Sequence, residues 1–497
     1  MDNIIVITQN IKLPSLIKLR EYIKQGSKTL IVSTQFIFEN EASEIESYLN
    51  SKCKFVNFSD VLCDAELEAC DVAAFNPTEQ KYVFEYYEKI KRIKNRRIAE
   101  KITANYPCVN KIIVSDDLGL SLDEWIKCGF QYISCEYYHQ IEAINVKNNN
   151  VFISQLRSIY HFLGHLVRSL FGQKIYKASY DGKRYLFYGS LNRIAYRIDL
   201  DFHPASFVEN MKLVLFNWGI VWNDNVVRLS TLHECYGVLP DNRKLNIKLI
   251  QDGYLPGNYS SKYLKFYGNN VEYYAWDALG KMIFKYHDLP HRIMPFRKKL
   301  FLPIPNFPSK IKKVLCVASG AGDWTALKNR SDEDKMIYVF GKIAAVFPGI
   351  EFVYRCHPVW IHPQHQGVNS ILRAVTYIEW LNLPNLKVSC NIPNANEKGK
   401  FILSYKRSSF EDDLKGVDIV FGEHSISMID AAFKNILFAS CNVTGRRDLF
   451  VGVSDLGFPH CESLEDIVSL LRSLTTPEFK VEYTKAIMNY NEMTNIE

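Results

Sequence analysis

The chain has 497 residues, of which 47% are hydrophobic and 23% are charged, and its formal net charge is +6. This length exceeds what one hydrophobic core serves and predicts about two or three domains. The small charge excess argues against a dedicated nucleic-acid binder. The 12 cysteines are scattered without a CxxC pair, which argues against a zinc framework.

The first residues run directly into an apolar strand pattern, and they lack the basic and long apolar segments of a signal peptide. No stretch of the sequence is both long and uncharged enough for a membrane span. We therefore expect a cytoplasmic protein.

The N-terminal part alternates strand and helix patterns. Short apolar runs at 4–8 and 29–33 flank a helical pattern at 13–23, and this spacing predicts a βαβ unit in a parallel sheet. A long charged helix and two further strands follow, at 78–105, 111–116 and 245–250.

A proline-rich segment at 300–313, with Pro303, Pro305 and Pro308, is typical of an extended linker. A second alternation of strands and helices begins directly after it. Its predicted strands are 314–318, 350–356, 417–423 and 436–440, and its predicted helices are 334–347, 425–435 and 463–474. The patterns therefore predict an α/β fold with two Rossmann-like domains, 1–300 and 313–497, joined by a linker at 301–312.

Three predicted strands of the C-terminal half end in a glycine loop, a His-Pro pair and a serine-containing turn. These residues are Gly320, Gly322 and Asp323, then Arg355, His357 and Pro358, then Glu423, His424, Ser425 and Ser427. Ligands of doubly wound sheets bind beyond the carboxyl ends of the strands, where glycine loops and helix N-termini hold anions. Taken singly, the groups also suit a tight turn, a proline turn and a helix N-cap. Their equivalent positions in one domain favour a nucleotide-sugar site.

A carboxylate follows a predicted strand of the N-terminal half. Asp252, within Asp-Gly, comes two positions after 245–250, and a carboxylate facing an inter-domain cleft can act as base or nucleophile at a sugar's anomeric carbon. The alternative is a routine Asp-Gly turn. His287, which is close to His291, is a second candidate for assisting the leaving group or the carboxylate, and its alternative is a structural role.

Metal-binding patterns are weaker. Asp199 and Asp201 form the DxD pattern of metal-dependent transferases, but those enzymes have a different fold. His357, His362 and His365 lie in a proline-containing loop without a nearby carboxylate. We therefore expect no metal and no cofactor beyond a donor substrate.

Segment 152–171 is amphipathic, and a basic stretch follows it, with Lys174, Lys177, Lys183 and Arg184. The pattern suits a buried helix with one solvated face. It also suits peripheral contact with anionic lipid near a membrane-bound acceptor.

Two doubly wound halves joined by a proline-rich segment resemble the plan of GT-B glycosyltransferases, in which two Rossmann-like domains face each other across a cleft. The acidic-Gly, His-Pro and serine-turn motifs resemble bacterial transferases that use CMP-activated sugars. The segment 251–259, with Gly268-Asn269-Asn270 further on, looks most like the β-Kdo transferases of capsule and O-antigen polysaccharide assembly, including those of lipopolysaccharide. Gln251 replaces the first acid of that branch, and no arginine follows Leu255. The resemblance covers 245–440.

This resemblance implies a CMP-Kdo donor and a cell-surface glycan or glycolipid acceptor, with no nucleic-acid partner. It implies that Asp252 is the nucleophile of a retaining enzyme or the base of an inverting one. His357 would contact the cytidine monophosphate, and Ser425 and Ser427 would contact its phosphate. Because a phosphate monoester is a good leaving group, fixed hydrogen-bond donors can replace a metal. The expected location is the cytoplasm, with peripheral contact at the inner face of the membrane.

Four other functions fit the same patterns. They are a sialyltransferase-like inverting enzyme, a teichoic-acid-type transferase of polyol phosphate from a CDP-polyol, a nucleotide-sugar epimerase and a non-catalytic nucleotide- or sugar-binding protein. A binding module has no need of a carboxylate in the cleft, so Asp252 distinguishes it from the enzymes.

Overall fold

The computed structural model describes part of the chain. The described residues are 1–7, 13–34, 36–74, 83–114, 122–135, 277–286, 301–318, 331–356, 373, 376–390, 406–423, 425–443 and 452–495, together with the short strands of 179–293 given below. The chain divides into two compact units. The first comprises Met1–Asn76, Tyr86–Ile144 and Pro303–Ile487, and the second comprises Pro77–Glu85, Asn145–Leu302 and Met488–Glu497.

The first unit contains a five-stranded, all-parallel sheet formed by the N-terminal residues. Its strands are β1 Asn3–Ile7, β2 Lys28–Ser33, β3 Lys52–Asn57, β4 Asn110–Val114 and β5 Gln131–Tyr132, in the order β3-β2-β1-β4-β5. All five residues of β1 are buried, as expected of a central parallel strand that is covered on both faces.

Helices accompany this first sheet. They are α1 Glu39–Leu49, α2 Asp64–Ala74, α3 Val83–Asn105 and α4 Leu122–Lys127, with 3₁₀-helices at Leu13–Glu21 and Phe58–Asp60. The helix predicted at 13–23 is therefore a 3₁₀-helix, and it buries Leu16 and Leu19 against the same core as Ile5 and Ile45. α1 begins where Glu41 Oε2 accepts the Phe38 N–H at 3.0 Å, and it ends at Asn50 in the left-handed conformation.

The second unit contains a mixed sheet and a hairpin. The sheet has the order β12-β11-β10-β9-β8, with strands β8 Leu186–Tyr188, β9 Tyr196–Asp199, β10 Asn246–Ile250, β11 Val271–Ala275 and β12 His291–Ile293. The hairpin pairs β6 Ser179–Tyr180 with β7 Lys183–Arg184. The strand predicted at 245–250 exists as β10, but it does not belong to the N-terminal Rossmann-like sheet. It pairs parallel with β11 and antiparallel with β9.

A helix, α5 Ala278–Tyr286, packs against β11 and β12 within the second unit. Asp277 caps it, because its Oδ1 accepts the Gly280 N–H at 2.9 Å. The end of the chain joins the same unit: Thr494 Oγ1 accepts the Ala278 N–H at 3.1 Å, and Asn491 Oδ1 accepts the Leu302 N–H at 2.7 Å.

The C-terminal half forms a seven-stranded, all-parallel sheet in the first unit. Its strands are β13 Lys313–Val317, β14 Glu351–Arg355, β15 Leu386–Cys390, β16 Lys406–Arg407, β17 Ile419–Gly422, β18 Leu437–Cys441 and β19 His460–Cys461. The order is β16-β15-β14-β13-β17-β18-β19, so the direction of winding reverses between β13 and β17. This reversal is the topological switch point of the sheet.

The helices with assigned bounds in the described part of this half are α6 Ser331–Val346, α7 Phe410–Asp413, α8 Ile426–Ala432, α9 Leu464–Ser473 and α10 Pro477–Asn495, and residues 376–381 are also helical. The seven elements predicted in the C-terminal half are all present within a few residues of their expected bounds. The strands β15, β16 and β19, the short helix α7 and the final helix α10 were not predicted.

The fold class is α/β with two Rossmann-like parallel sheets, as predicted. Residues 301–312 contain no helix or strand, and β13 begins directly after them. The compact units group Met1–Asn76 with Pro303–Ile487, and the domain bounds 1–300 and 313–497 stay a prediction. The role of 301–312 as a domain linker stays a prediction. Within the described part of the chain, no helix combines the length and apolar character that crossing a membrane requires.

Candidate functional site

The strongest candidate site lies at the switch point of the C-terminal sheet, on the edge where its strands end, which we call the carboxyl edge. Val317, near the end of β13, pairs with Gly422 at the end of β17, and Arg355 of β14 pairs with Val317 on the other side. Parallel strands end at the same edge, so residues following β13, β14 and β17 start from neighbouring positions. These are the three strands after which the sequence predicted ligand-binding residues.

Gly422 is required by close packing at this point. A Cβ atom at Gly422 would lie 2.8 Å from Met428 Sδ, 2.9 Å from Val317 Cγ2 and 3.1 Å from the Val317 carbonyl oxygen. Only glycine therefore lets α8 approach β13 and β17 this closely. The start of α8 is held against the end of the sheet.

Ser425 caps α8. Its backbone is extended, with φ −78° and ψ 135°, and its Oγ accepts the Ser427 N–H at 3.3 Å. The N-cap, which was the alternative reading of this residue, is thus the role that the structure shows. The first turn of α8 carries no acidic residue, so no carboxylate there opposes an anion. Ser425 and Ser427 are both half-buried, and their contact with a donor phosphate stays a prediction.

Glu423 directly follows β17 and is buried, with 2% of its surface exposed. Burial raises the pKa of Cys441 well above its usual value, with further contributions from Cys461, Cys316 and Glu423. Glu423 thus lies among buried thiols of the sheet, and its predicted contact with a donor is untested.

Arg355 belongs to a buried ion-pair network. Its guanidinium pairs with Asp413, the last residue of α7, and the two side chains are only 7% and 3% exposed. Nη1 also donates to the Ser408 carbonyl at 3.1 Å and to Ser389 Oγ at 3.4 Å, and Ser389 Oγ donates to Asp413. These bonds fasten β14 and β15 to α7. They give Arg355 a structural role, and the donor contact predicted for it is untested.

The remaining predicted site residues lie outside the described residues. They are Gly320, Gly322, Asp323, His357, Pro358 and His424 in the C-terminal half, and Asp252 and His287 in the second unit. Asp252 comes two positions after the end of β10, and His287 comes directly after α5. Among the described residues, no group of three or more His, Cys, Asp or Glu side chains is arranged to hold a metal ion.

Two residues at the same edge were not predicted. Ser440 of β18 pairs with Gly422, and His460 of β19 pairs with Ser440, so the three occupy one row across the sheet. Ser440 Oγ lies 2.5 Å from His460 Nδ1, and His460 Nε2 lies 3.7 Å from Glu462 Oε1. Ser440 is fully buried, which excludes it as a nucleophile for a large substrate. The sequence signal that could have indicated Ser440 is its position as the last residue of the predicted strand 436–440.

No protein-family model and no curated protein sequence matches the chain. Solved structures give weak overall superpositions. The GtfA/B complex has 11% identity and a TM-score of 0.32 over 63% of this chain and 61% of that chain, so the chain spans less than two thirds of that relative. A variant of S. aureus TarM in complex with fondaparinux, alpha-GlcNAc-glycerol and UDP has 13% identity and a TM-score of 0.29 over 99% and 97%.

A glycosyltransferase from Rickettsia africae ESF-5 has 9% identity and a TM-score of 0.26 over 99% of this chain and 96% of that chain. These TM-scores are low. The fold class therefore rests on the strand order and register of the two parallel sheets.

Proposed function

We propose that the protein is a glycosyltransferase of the GT-B class that takes its sugar from a CMP-activated donor bound at the carboxyl edge of the C-terminal sheet. The observation that carries this proposal is the switch point between β13 and β17. The glycine loop follows one of these strands and the serine turn follows the other. Ligands of open α/β sheets bind in the crevice at this place.

The donor side of the reaction needs groups that stabilise a departing phosphate. In the proposal, the amides of the loop with Gly320 and Gly322 and the start of α8 receive the phosphate, and His357 contacts the cytidine monophosphate. Hydrogen-bond donors fixed in place stabilise developing negative charge without reorganisation, so the proposed reaction uses neither metal nor cofactor. The absence of acidic residues from the first turn of α8 supports this placement.

The proposed chemistry breaks the bond between the anomeric carbon and the phosphate oxygen, and CMP departs with the electron pair. In a retaining reaction Asp252 forms a bond to the anomeric carbon as CMP departs, and the acceptor hydroxyl then displaces the Asp252 carboxylate and loses its proton to a base of the site. In an inverting reaction Asp252 instead takes the proton of the attacking hydroxyl. His287 assists the carboxylate or the leaving group.

The proposed sugar is Kdo, and the proposed acceptor is a glycan or glycolipid destined for the cell surface. An acceptor of this kind places the protein at the cytoplasmic face of a membrane. Segment 152–171 and the basic residues after it are the proposed contact with anionic lipid, since basic residues beside an apolar face favour such surfaces.

A thermal-shift panel with CMP, CDP, UDP and GDP tests the donor. A nucleotide that binds only the folded protein raises its melting temperature, and we expect the largest rise with CMP. His357→Ala should lose most of that rise while it keeps the melting temperature of the free protein. A rise that favours UDP and persists in His357→Ala contradicts the cytidine assignment. Release of CMP with a polyol phosphate, instead of sugar transfer, would identify the teichoic-acid-type alternative.

A further inference from the structure

Two aromatic rings from the segment between β2 and α1 pack into the C-terminal half of the first unit. Phe38 stacks on Tyr377, with the ring centres 4.5 Å apart and the ring planes at 18°. Phe36 lies 5.5 Å from Phe38 and 5.2 Å from Tyr338 of α6, measured between ring centres. Tyr338 and Tyr377 also stack on each other at 6.1 Å. The four rings therefore form one cluster, to which each half of the first unit contributes two.

The centre of this aromatic cluster is part of the hydrophobic core. Phe38 and Tyr377 are both fully buried, and burial of such large rings is a major source of stability. The two elements that receive the rings are themselves closely packed. A Cβ atom at Gly341 of α6 would lie 2.6 Å from Leu381 Cδ1 and 3.5 Å from Tyr377 Cε1, so this glycine lets the helical residues 376–381 approach α6.

A buried cation joins the two halves beside the rings. The guanidinium of Arg373 lies 5.2 Å from the ring centre of Phe38, and it donates to both carboxylate oxygens of Glu41 in α1. Its Nη1 donates to Asp334 Oδ2 of α6 at 2.7 Å, and its Nη2 also donates to the Phe36 carbonyl. Burial works to lower the pKa of Arg373, but the two carboxylates outweigh it and raise the pKa, so the charge is retained.

Two more ion pairs lie at the surface of the same connection. Lys335 Nζ of α6 lies 2.6 Å from Asp60 Oδ1, and Lys342 Nζ of α6 lies 2.7 Å from Glu39 Oε1. The side chains of Asp60 and Glu39 are 44% and 40% exposed, so solvent and salt screen these pairs. The buried rings, and not the exposed pairs, are therefore the main attachment between the two halves.

We propose that the two parallel sheets form one rigid body, joined by a shared aromatic core instead of a hinge. Movement between two domains of a chain is the usual expectation unless their interface is extensive and apolar. The four-ring cluster supplies an apolar interface, and Met1–Asn76 and Pro303–Ile487 belong to one compact unit. The N-terminal sheet then keeps one position relative to the C-terminal sheet, and any opening that a ligand requires occurs elsewhere in the chain. This inference does not depend on the proposed function.

Distance measurements between the halves test the rigid body without altering the joint. Lys127 of α4 and Lys387 of β15, whose side chains are 69% and 54% exposed, are replaced by an unnatural ketone amino acid that carries a spin label. Pulsed electron paramagnetic resonance should give one narrow distance distribution. It should be the same at low salt and in about 1 M sodium chloride, because salt screens the exposed pairs but not the buried rings. A second, longer distance at either salt concentration overturns the proposal.

Unfolding tests the aromatic joint itself. Hydrogen exchange in rising urea gives a separate unfolding midpoint for the amides of β1 and of β13, and we expect the two midpoints to coincide in wild type. Phe38→Leu removes the stacked ring and keeps an apolar side chain. It also keeps the bond at the start of α1, which uses the Phe38 backbone N–H. The variant should separate the two midpoints by about 0.5 M urea or more.

Phe58→Leu is the matched control. Phe58 is also a buried phenylalanine of the N-terminal half, but its stacking partner is Trp125 of the same half, with the ring centres 5.4 Å apart. This variant should lower the midpoints of β1 and β13 by the same amount, because the joint is intact and the two sheets still unfold together. A fall confined to β1, or separate midpoints in wild type, overturns the proposal. Coincident midpoints in Phe38→Leu overturn the role of the aromatic rings.

Discussion

The two doubly wound sheets of this chain carry different chemistry at their carboxyl edges. After β2 and β3 the N-terminal sheet presents Glu39, Glu41 and Asp60, and each of these carboxylates pairs with a cation of the C-terminal half. At its switch point the C-terminal sheet presents Gly422 and the N-cap Ser425. The same topology therefore supplies two edges. Carboxylates at the first pair with cations, whereas the second carries the buried Glu423 and no acidic residue in the first turn of α8.

This difference explains why an anionic donor is assigned to the C-terminal sheet. A phosphate at the N-terminal edge would meet carboxylates that already serve as ion-pair partners, and like charges at short range oppose binding. A phosphate at the start of α8 would meet backbone amides and hydroxyls instead. The first edge connects the two halves through ion pairs, and the proposal places the ligand at the second.

The largest expected effect comes from a residue that belongs to neither edge. Asp252 follows β10 of the mixed sheet in the second unit. Asp252→Asn should lower sugar transfer about a thousandfold or more, because a nucleophile or essential base acts mainly in the transition state. CMP affinity should stay within a few-fold of wild type.

The test compares wild type with Asp252→Asn in turnover and in calorimetric CMP binding. The two measurements separate the effect on catalysis from the effect on donor binding. If the reaction retains configuration, mass spectrometry of wild type with donor should also show a sugar adduct on Asp252. Full activity in Asp252→Asn contradicts the catalytic assignment. Loss of activity with an inverted product and no adduct identifies Asp252 as a base and favours the sialyltransferase-like alternative.

The second-largest expected effect is on the free energy of unfolding, and it concerns the carboxyl edge of the C-terminal sheet. Arg355→Ala should lower the free energy of unfolding by about 3 kcal/mol, because it leaves the buried Asp413 carboxylate without its cation. Lys415→Ala removes an exposed pair with Asp412 and should leave the free energy of unfolding nearly unchanged, because solvent screens the pair. Urea unfolding compares the two. Equal losses would show that the Arg355 network does not hold the sheet together.

Much of this fold could be predicted because its central strands are continuous apolar runs. β1 and β13, for example, are recognisable from their own residues. β19 was missed because a two-residue strand has no periodic pattern of its own. The 3₁₀-helix at Leu13–Glu21 was read as an ordinary helix because its apolar spacing is compatible with both.

The contacts at the two carboxyl edges were harder to predict from the sequence. Arg373 and Glu41 are 332 positions apart, and Arg355 and Asp413 are 58 positions apart. Neither pair leaves a local pattern, because tertiary packing alone brings the partners together. Ser425 was different: a serine directly before an apolar helix predicts both an N-cap and an anion site, and local rules do not separate the two.

The smallest expected effect separates these two roles of Ser425. Ser425→Ala removes the bond to the Ser427 N–H and should cost about 1 kcal/mol of stability, whether or not a phosphate binds there. Ser425→Asp keeps an acceptor that caps helices well, so stability should remain close to that of wild type. Its negative charge would nevertheless oppose a phosphate at the same place. The proposal therefore predicts that Ser425→Asp is stable but loses CMP affinity by about tenfold or more.

Ser463 provides the control for that comparison, because it is also a serine N-cap: its Oγ accepts the Asp466 N–H at 3.1 Å at the start of α9. Ser463→Asp should leave both stability and CMP binding unchanged, since nothing assigns the start of α9 to the donor. Thermal unfolding and calorimetric titration of the three variants give both quantities. If Ser425→Asp binds CMP as wild type does, Ser425 is an N-cap alone, and the phosphate must lie nearer the glycine segment after β13. If Ser425→Asp loses CMP affinity while Ser463→Asp does not, the phosphate lies at the start of α8. That helix start, which has no acidic residue in its first turn, then distinguishes the carboxyl edge of the C-terminal sheet from that of the N-terminal sheet.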